Sequence, residues 1–267
     1  MLADSNTSFM TSKSSIRDVL SKRYAVLSLL IEQPRTKPEL VDNLDCSRAT
    51  VDRAINELLD TRCVQLVETT SRRYEATQTG VIAAETHSNY RDTIDALDEA
   101  WTALNPLPAD ATVAPKFLRG ADVYSPPDPA RQPSQEIFRD CTNFYGTAPA
   151  VFKAYFDSHL QKLQDDEFDS EIIFQADVVE EIQNRYSTQF EKLAAFDSMS
   201  LFVVERQLPY ALWLMELESR TVGGITTYES GNIKGIIIND SPEAIQWVRT
   251  EYQQYKNRST PLAAPSE

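Results

Sequence analysis

From Ser15 onward the apolar positions recur at helical intervals. Ile16, Val19, Leu20, Tyr24, Leu27 and Ile31 share one face of a helix expected over about Ser15 to Glu32. Gln33-Pro34-Arg35 stops it, and Thr36 followed by Pro38 and Glu39 is a capping pattern for a short helix from Lys37 to about Asn43. After a turn at Leu44-Asp45-Cys46, Ser47 can cap a helix to about Asp60 whose buried stripe is Val51, Ala54, Ile55 and Leu58. The period then changes. Val64–Val67 and Arg72–Ala76 read as two strands around a turn at Thr69-Thr70-Ser71, with Thr77 to Gly80 leading into another helix. Helix, helix, turn, helix and hairpin is the order of a winged helix-turn-helix module, in which the later helix of the turn pair enters a major groove.

The helix from Val81 carries Tyr90, Ile94, Leu97, Trp101 and Leu104 at spacings of 4, 3, 4 and 3, a seam of heptad type. It reads either as a contact within the monomer or as a dimerisation helix. The second is preferred because a short DNA half-site gains specificity when doubled by symmetry. Asn105-Pro106-Leu107-Pro108 ends the helix and opens a linker towards Pro115. Beyond it come helical stretches around Ser134–Asn143 and Ala148–Gln164, a strand at Ile172–Phe174, and helix from Val178 to Tyr186 or as far as Ala194. Strands are expected at Leu201–Val204, Tyr210–Leu217, Thr221–Tyr228 and Lys234–Ile238, the last two joined by a Ser230-Gly231-Asn232 hairpin turn. A final helix from Ser241 carries Ile245, Val248, Tyr252 and Tyr255 on one stripe.

The expected organisation is therefore a winged helix-turn-helix over 14–80, a linker or dimerisation helix over 81–106, a mixed α/β or α+β regulatory domain over 115–258 and a flexible tail over 259–267. At 267 residues, with 42% of them hydrophobic, the chain is large enough for two such cores. No apolar run reaches membrane-spanning length and the first twenty residues lack a signal-peptide core, so a cytoplasmic protein without membrane association is expected.

Charge separates the two parts. Residues 1–80 hold 11 basic and 11 acidic side chains, whereas residues 81–267 hold 15 against 29 and carry the whole net charge of -14. The neutral first part is the segment that can approach a polyanion at low electrostatic cost. Arginine outnumbers lysine by 17 to 9, and an acidic, lysine-poor surface suits a cytoplasm of high salt.

Candidate DNA contacts follow from the helix after Ser47. Arg48, Thr50 and Arg53 lie opposite its buried stripe, Ser47 stands at its N-terminus, and Lys37 can fasten the approach from the preceding helix. Arg53 is the first choice for a base contact. Asp52 and Glu57 would be repelled by phosphates, although either could orient an arginine. Ser71, Arg72 and Arg73 form a compact positive wing tip for phosphates or a narrow minor groove. In the second part Arg206, Tyr210, Trp213 and Tyr228 could line an effector site, arginine holding an anionic group and aromatic faces excluding water. Gly223-Gly224 reads as a bulge, a tight bend or a place of close ligand approach.

The remaining chemistry is sparse. Cys46, Cys63 and Cys141 are far apart and odd in number, and neither His87 nor His159 has neighbours in sequence that complete a triad or a zinc site. Both histidines read as structural or surface residues, and Cys46 as an inert thiol rather than a redox sensor. Neither a phosphate loop nor a catalytic constellation is recognisable, so no enzyme, no cofactor and no metal are expected.

Residues 14 to about 100 resemble archaeal winged-helix transcription regulators related to the arsenic-repressor and multiple-antibiotic-resistance-repressor families. The resemblance rests on Arg35-Thr36-Lys37-Pro38-Glu39-Leu40, on Ser47-Arg48-Ala49-Thr50-Val51-Asp52-Arg53-Ala54, and on the wing with Arg72-Arg73-Tyr74. The later part resembles the domain of the archaeal methanogenesis-regulator FilR1-like family, seen also in haloarchaeal proteins. That match runs through Val222-Gly223-Gly224-Ile225 to Tyr228, then Gly231 to Asp240 and Ser241-Pro242-Glu243-Ala244 to Trp247. The resemblance implies a cytoplasmic transcription factor that binds double-stranded promoter DNA, with a C-terminal sensor domain. With the seam and the aromatic candidates it makes a homodimer under a small-molecule effector the leading reading, and a winged-helix adaptor that binds another protein the alternative.

Overall fold

The computed structural model describes residues 15–67, 71–125, 133–164 and 167–262, which form two compact units dividing between Arg91 and Asp92. The first unit holds α1 (Ile16–Glu32), α2 (Lys37–Leu44), α3 (Arg48–Asp60), β1 (Val64–Val67), β2 (Arg73–Ala76) and the start of α4 (Gln78–Leu104). The helix starts are local and legible. Ser15 and Ser47 accept hydrogen bonds from Asp18 N and Thr50 N, and Thr36 forms a full capping box with Glu39. One face of each helix meets in a core around Leu27, Leu30, Leu40, Ile55 and Leu58, all of them buried. β1 and β2 pair antiparallel, and Arg35 adds a single bridge to Tyr74 through reciprocal N–H to carbonyl bonds of 2.9 and 2.8 Å. The expected wing turn at Thr69-Thr70 lies outside the described residues.

The second unit begins inside α4, not at the proline-rich stretch where a linker over 105–115 was expected. The reason is a second face of that helix. Ala96, Ala100 and Ala103, spaced for helical contact, are buried in the core of this unit, and Ala103 packs on Gly235, where an added Cβ would come within 2.4 Å.

There follow α5 (Pro115–Leu118), β3 (Asp122–Tyr124), α6 (Pro133–Asp140), β4 (Asn143–Ala148), α7 (Lys153–Lys162) and β5 (Asp169–Gln175). Next come α8 (Ala176–Arg185), α9 (Ser187–Ala194), β6 (Met199–Val204), β7 (Ala211–Glu216), β8 (Thr221–Glu229), β9 (Asn232–Asn239), α10 (Pro242–Lys256) and β10 (Thr260–Pro261). Among the described residues the strands make one mixed sheet in the order β10-β6-β5-β4-β7-β8-β9-β3. β4, β5 and β6 are parallel, as strands linked by helical crossovers must be, and the remaining neighbours are antiparallel.

Two apolar layers flank the sheet. α10 and α5 pack with Leu212, Leu214, Ile225 and Ile237 on one face, and α6 to α9 cover Phe174, Trp213, Met215 and Ile236 on the other. β4 lies between the two helical stretches that were expected there, and the helix expected from Val178 to Tyr186 ends at Arg185, with the extension to Ala194 formed by a separate helix after Tyr186. In the expected tail, β10 pairs with β6 and Leu262 N donates to Leu201 O, so the chain is held to the sheet edge as far as Leu262. Residues 263–267 of that tail lie outside the described residues.

The β8–β9 turn has positive φ at both Ser230 (50°) and Gly231 (78°), the backbone that closes a two-residue hairpin. The glycine pair at 223–224 is neither a bulge nor a bend. A Cβ on Gly223 would meet Val248 of α10 at 2.8 Å, and one on Gly224 would meet the Trp213 indole at 2.1 Å, so each glycine admits a neighbour on a different face. The register irregularity of the hairpin falls instead at Thr227/Tyr228.

Candidate nucleic-acid interface and effector cavity

α3 presents Arg48, Thr50 and Arg53 to solvent while Val51, Ala54, Ile55 and Leu58 are buried beneath them. The two acids on this helix are each held by a base. Lys37 Nζ lies 2.6 Å from Asp52, and Arg23 Nε donates to Glu57 at 2.8 Å, a bond that holds the Glu57 carboxyl below the usual carboxylate range. The exposed face of α3 is therefore less hostile to phosphate than its sequence, and Lys37 is a partner of Asp52 rather than an independent clamp. Ser47 Oγ, which accepts from Thr50 N at 3.2 Å and lies 2.9 Å from Thr50 Oγ1, secures the helix start.

The wing arginines separate. Arg73 donates to Pro34 O at 2.8 Å and to Glu39 at 3.1 Å, which braces the hairpin against the α1–α2 turn, whereas Arg72 and Ser71 are exposed. The heptad seam is also divided. Tyr90 and Trp101 are 64% and 66% exposed, Ile94 and Leu97 are exposed beside them, and Leu104 packs against the core of the second unit. Ile82 extends the exposed series towards the start of α4. Intrachain packing takes the alanine face of this helix and leaves the aromatic seam open.

The four expected effector residues do not converge. Arg206 is exposed. Tyr210 is buried in the α10 layer, its hydroxyl donating to Thr112 O. Trp213 and Tyr228 do line a common cavity of about 470 Å³, on the face covered by α6 and α7. Alternation along β7 causes the split, because residues 210, 212 and 214 face one layer and 211, 213 and 215 the other.

The cavity floor is the Trp213 indole, admitted by glycines on the neighbouring strands. Trp213 pairs across the sheet with Gly146 on one side and Gly224 on the other, and its indole lies over Gly224 with Nε1 donating to Thr226 Oγ1 at 3.1 Å. Gly224→Ala is expected to drive the indole upward and destabilise the domain by about 1–3 kcal/mol. Urea titration followed by tryptophan fluorescence measures both effects; an unchanged midpoint and spectrum would refute this packing argument.

α7 supplies a wall that sequence reasoning missed. His159 is buried between Phe138 and Phe144, with ring centroids 4.6 and 5.1 Å away. Its Nδ1 lies 2.9 Å from Tyr155 O, and since a carbonyl only accepts, Nδ1 carries the proton and Nε2 is left with its lone pair. Nε2 is buried without a hydrogen-bond partner. Burial pushes the imidazole pKa down to about 4, so the ring is neutral near pH 7. At one end of the cavity the Tyr155 and Tyr228 hydroxyls interact, burial pushes both of their pKa values up, and Phe152 stacks on Tyr228. No signal in the sequence marks His159, because the Phe138, Phe144 and Trp213 that frame the cavity come from three separate elements.

Of the cysteines, Cys63 and Cys141 are buried and Cys46 is half-buried against the first core; burial pushes the Cys141 thiol up to about 11. His87 packs on Tyr24. Among the described residues there is no cluster of three or more His, Cys, Asp or Glu suited to a metal ion, and no helix is long and apolar enough to cross a membrane.

Residues 127–258 match the family described as methanogenesis regulatory protein FilR1, middle domain, and residues 16–99 match the HVO_A0261 N-terminal domain. Curated protein sequences give no match. Among solved structures, TrmBL2, an archaeal chromatin protein, is 8% identical over 92% of this chain and 94% of its own, with a TM-score of 0.42. The adhesin competence repressor AdcR of Streptococcus pyogenes is 24% identical over 33% of this chain and 66% of its own, with a TM-score of 0.26. Nuc of Salmonella typhimurium, a phospholipase D family member, is 11% identical over 53% of this chain and 98% of its own, with a TM-score of 0.39. At these scores the likenesses carry no argument about activity. The chain thus combines a winged helix-turn-helix module with an archaeal-associated FilR1-like domain.

Proposed function

We propose that this chain, in which a FilR1-like domain follows a winged helix-turn-helix module, is a sequence-specific DNA-binding transcription regulator that works as a homodimer under control of a small-molecule effector, and is not an enzyme. The observation that carries the reading is the exposed face of α3, where Arg48, Thr50 and Arg53 stand free of the buried stripe while Lys37 and Arg23 neutralise Asp52 and Glu57. Such a face can enter a major groove and read base edges, with Arg72 of the wing placed for an adjacent phosphate. The acidic surplus lies beyond residue 80, so long-range repulsion acts mainly on the other unit. An effector regulates only by binding the DNA-competent and DNA-incompetent states with different affinities.

The test is genome-wide DNA occupancy at native intracellular salt. Sharp promoter peaks sharing a near-palindromic sequence are expected; absence of specific peaks across growth conditions favours the protein-adaptor reading and overturns this one.

The dimer uses the open seam of α4, where Tyr90, Ile94, Leu97 and Trp101 meet a second copy. Buried aromatic anchors contribute about 2 kcal/mol each at interface centres. Leu97→Glu with Trp101→Glu is therefore expected to convert a dimer to a monomer in sedimentation experiments with unchanged circular dichroism. A wild-type protein that sediments as a monomer at tens of micromolar would remove the dimer from the proposal.

A further inference from the structure

We infer that the cavity between the sheet and α6–α7 receives an apolar-bodied organic acid, aromatic or alicyclic, that donates one hydrogen bond from a hydroxyl or N–H group to Nε2 of His159. The inference rests on the reading that this domain takes a small-molecule effector, and it names the chemical class of that effector.

Four observations converge on this class. The space of about 470 Å³ is in the range of small-molecule sites, and its floor is the Trp213 indole laid flat over Gly224. A planar hydrocarbon body fits against such a face. His159 is buried with Nε2 unsatisfied, while Nδ1 is turned back to its own helix at Tyr155 O, so the vacant lone pair points away from the α7 backbone. A buried acceptor without a donor costs free energy that a ligand O–H or N–H recovers.

The third observation is the sign of the charges. The chain has 40 acidic residues, yet among the described residues none lines this cavity, and its charged lining consists of Arg139 and Lys162. Arg139 is exposed as well as lining, which places it at the opening and makes it the cation that faces a ligand; Lys162 has its own interactions, its Nζ 5.7 Å from the Phe168 ring centre. A carboxylate or similar anion is favoured beside Arg139 and an ammonium is not. Fourth, the Trp213 Nε1 donor is already committed to Thr226, whereas His159 Nε2 is a buried acceptor without a partner.

A matched probe series tests the inference on the full-length protein by isothermal titration and tryptophan fluorescence. Hydroxynaphthoate carries the body, the donor and the acid; methoxynaphthoate lacks the donor; hydroxynaphthylmethylamine reverses the charge. Hydroxynaphthoate is expected to bind about tenfold tighter than methoxynaphthoate, and the amine at least tenfold weaker than hydroxynaphthoate. In His159→Phe the two acids should bind alike, at the wild-type affinity of the methoxy compound, and Arg139→Gln should weaken both acids by a similar factor. Equal binding of the two acids to the wild-type protein, tighter binding of the amine, or no binding at millimolar concentration overturns the inference, and none of these outcomes depends on a variant folding. Probe preference without any change in operator affinity sustains the site and removes its effector role. Operator binding without probe preference removes the site and leaves the DNA-binding reading intact.

Discussion

Replacing Arg48 and Arg53 together with alanine should lower affinity for a specific duplex by at least about fivefold to 150-fold, the loss of one base contact, with the loss of a phosphate contact in addition, while leaving the fold and the dimer in place. Each good bidentate contact to a base contributes about 1–3 kcal/mol of discrimination, and 1.4 kcal/mol is a factor of ten. Both side chains are exposed on α3, and neither is part of the packed stripe. The single variants separate two roles. Loss of a phosphate contact weakens all sequences alike and reduces the slope of log affinity against log salt by about 0.9, whereas loss of a base contact relaxes preference at one position of the site. Arg53, further into the helix, is expected to act in the second way and Arg48, at the helix start, in the first. Fluorescence anisotropy with operator and scrambled duplexes across a salt series reads both; unchanged operator preference in the double variant would refute the recognition assignment. Arg73→Ala, by contrast, removes a brace to Pro34 and Glu39, and its effect belongs to the stability of the wing.

Acidification should destabilise the second unit through His159 by about 3 kcal/mol between pH 7 and pH 4. The folded imidazole has its pKa pushed down by burial to about 4, against 6.5 for an exposed ring. Between those values the unfolded chain binds a proton that the folded chain does not. The contribution is complete above about pH 6.5 and is lost progressively as pH falls towards 4. His159→Phe keeps an aromatic ring among Phe138, Phe144 and Phe168 and removes the titration. Carboxylates titrating in the same window are common to both proteins, so they cancel in the difference. Urea unfolding at a series of pH values should show the stability of the wild type falling relative to the variant over this range, and parallel curves would show that the ring is not buried neutral.

The amino-terminal module was legible because its determinants are local. Thr36 and Ser47 cap the helices they were expected to cap, Ser15 caps the helix expected to begin there, and the stripe of Val51, Ala54, Ile55 and Leu58 is the buried face of α3. Hairpin chemistry at Ser230-Gly231 is local in the same sense, since positive φ is a property of two residues. β4 was not legible. Phe144 and Gly146 face the cavity side and Tyr145 the α10 layer, so the strand shows no polar alternation, and its pairing partners β5 and β7 lie far along the chain. β10 at the sheet edge likewise depends on β6, with two residues too few to carry a pattern of their own.

What the amino-acid sequence determined alone is everything set within a few residues: helix caps and stripes, the β8–β9 turn, the charge division near residue 80, and the aromatic seam on α4. Tertiary structure decided which of the two faces of α4 is taken by its own chain, which charged groups on α2, α3 and β2 neutralise one another, and which face of β7 looks into a cavity. It also turned His159 from a lone histidine into a neutral acceptor. The physical reason is common to all of these. Burial and electrostatic partnership depend on what crosses from distant segments, and a one-residue step along a strand reverses the layer that a side chain enters.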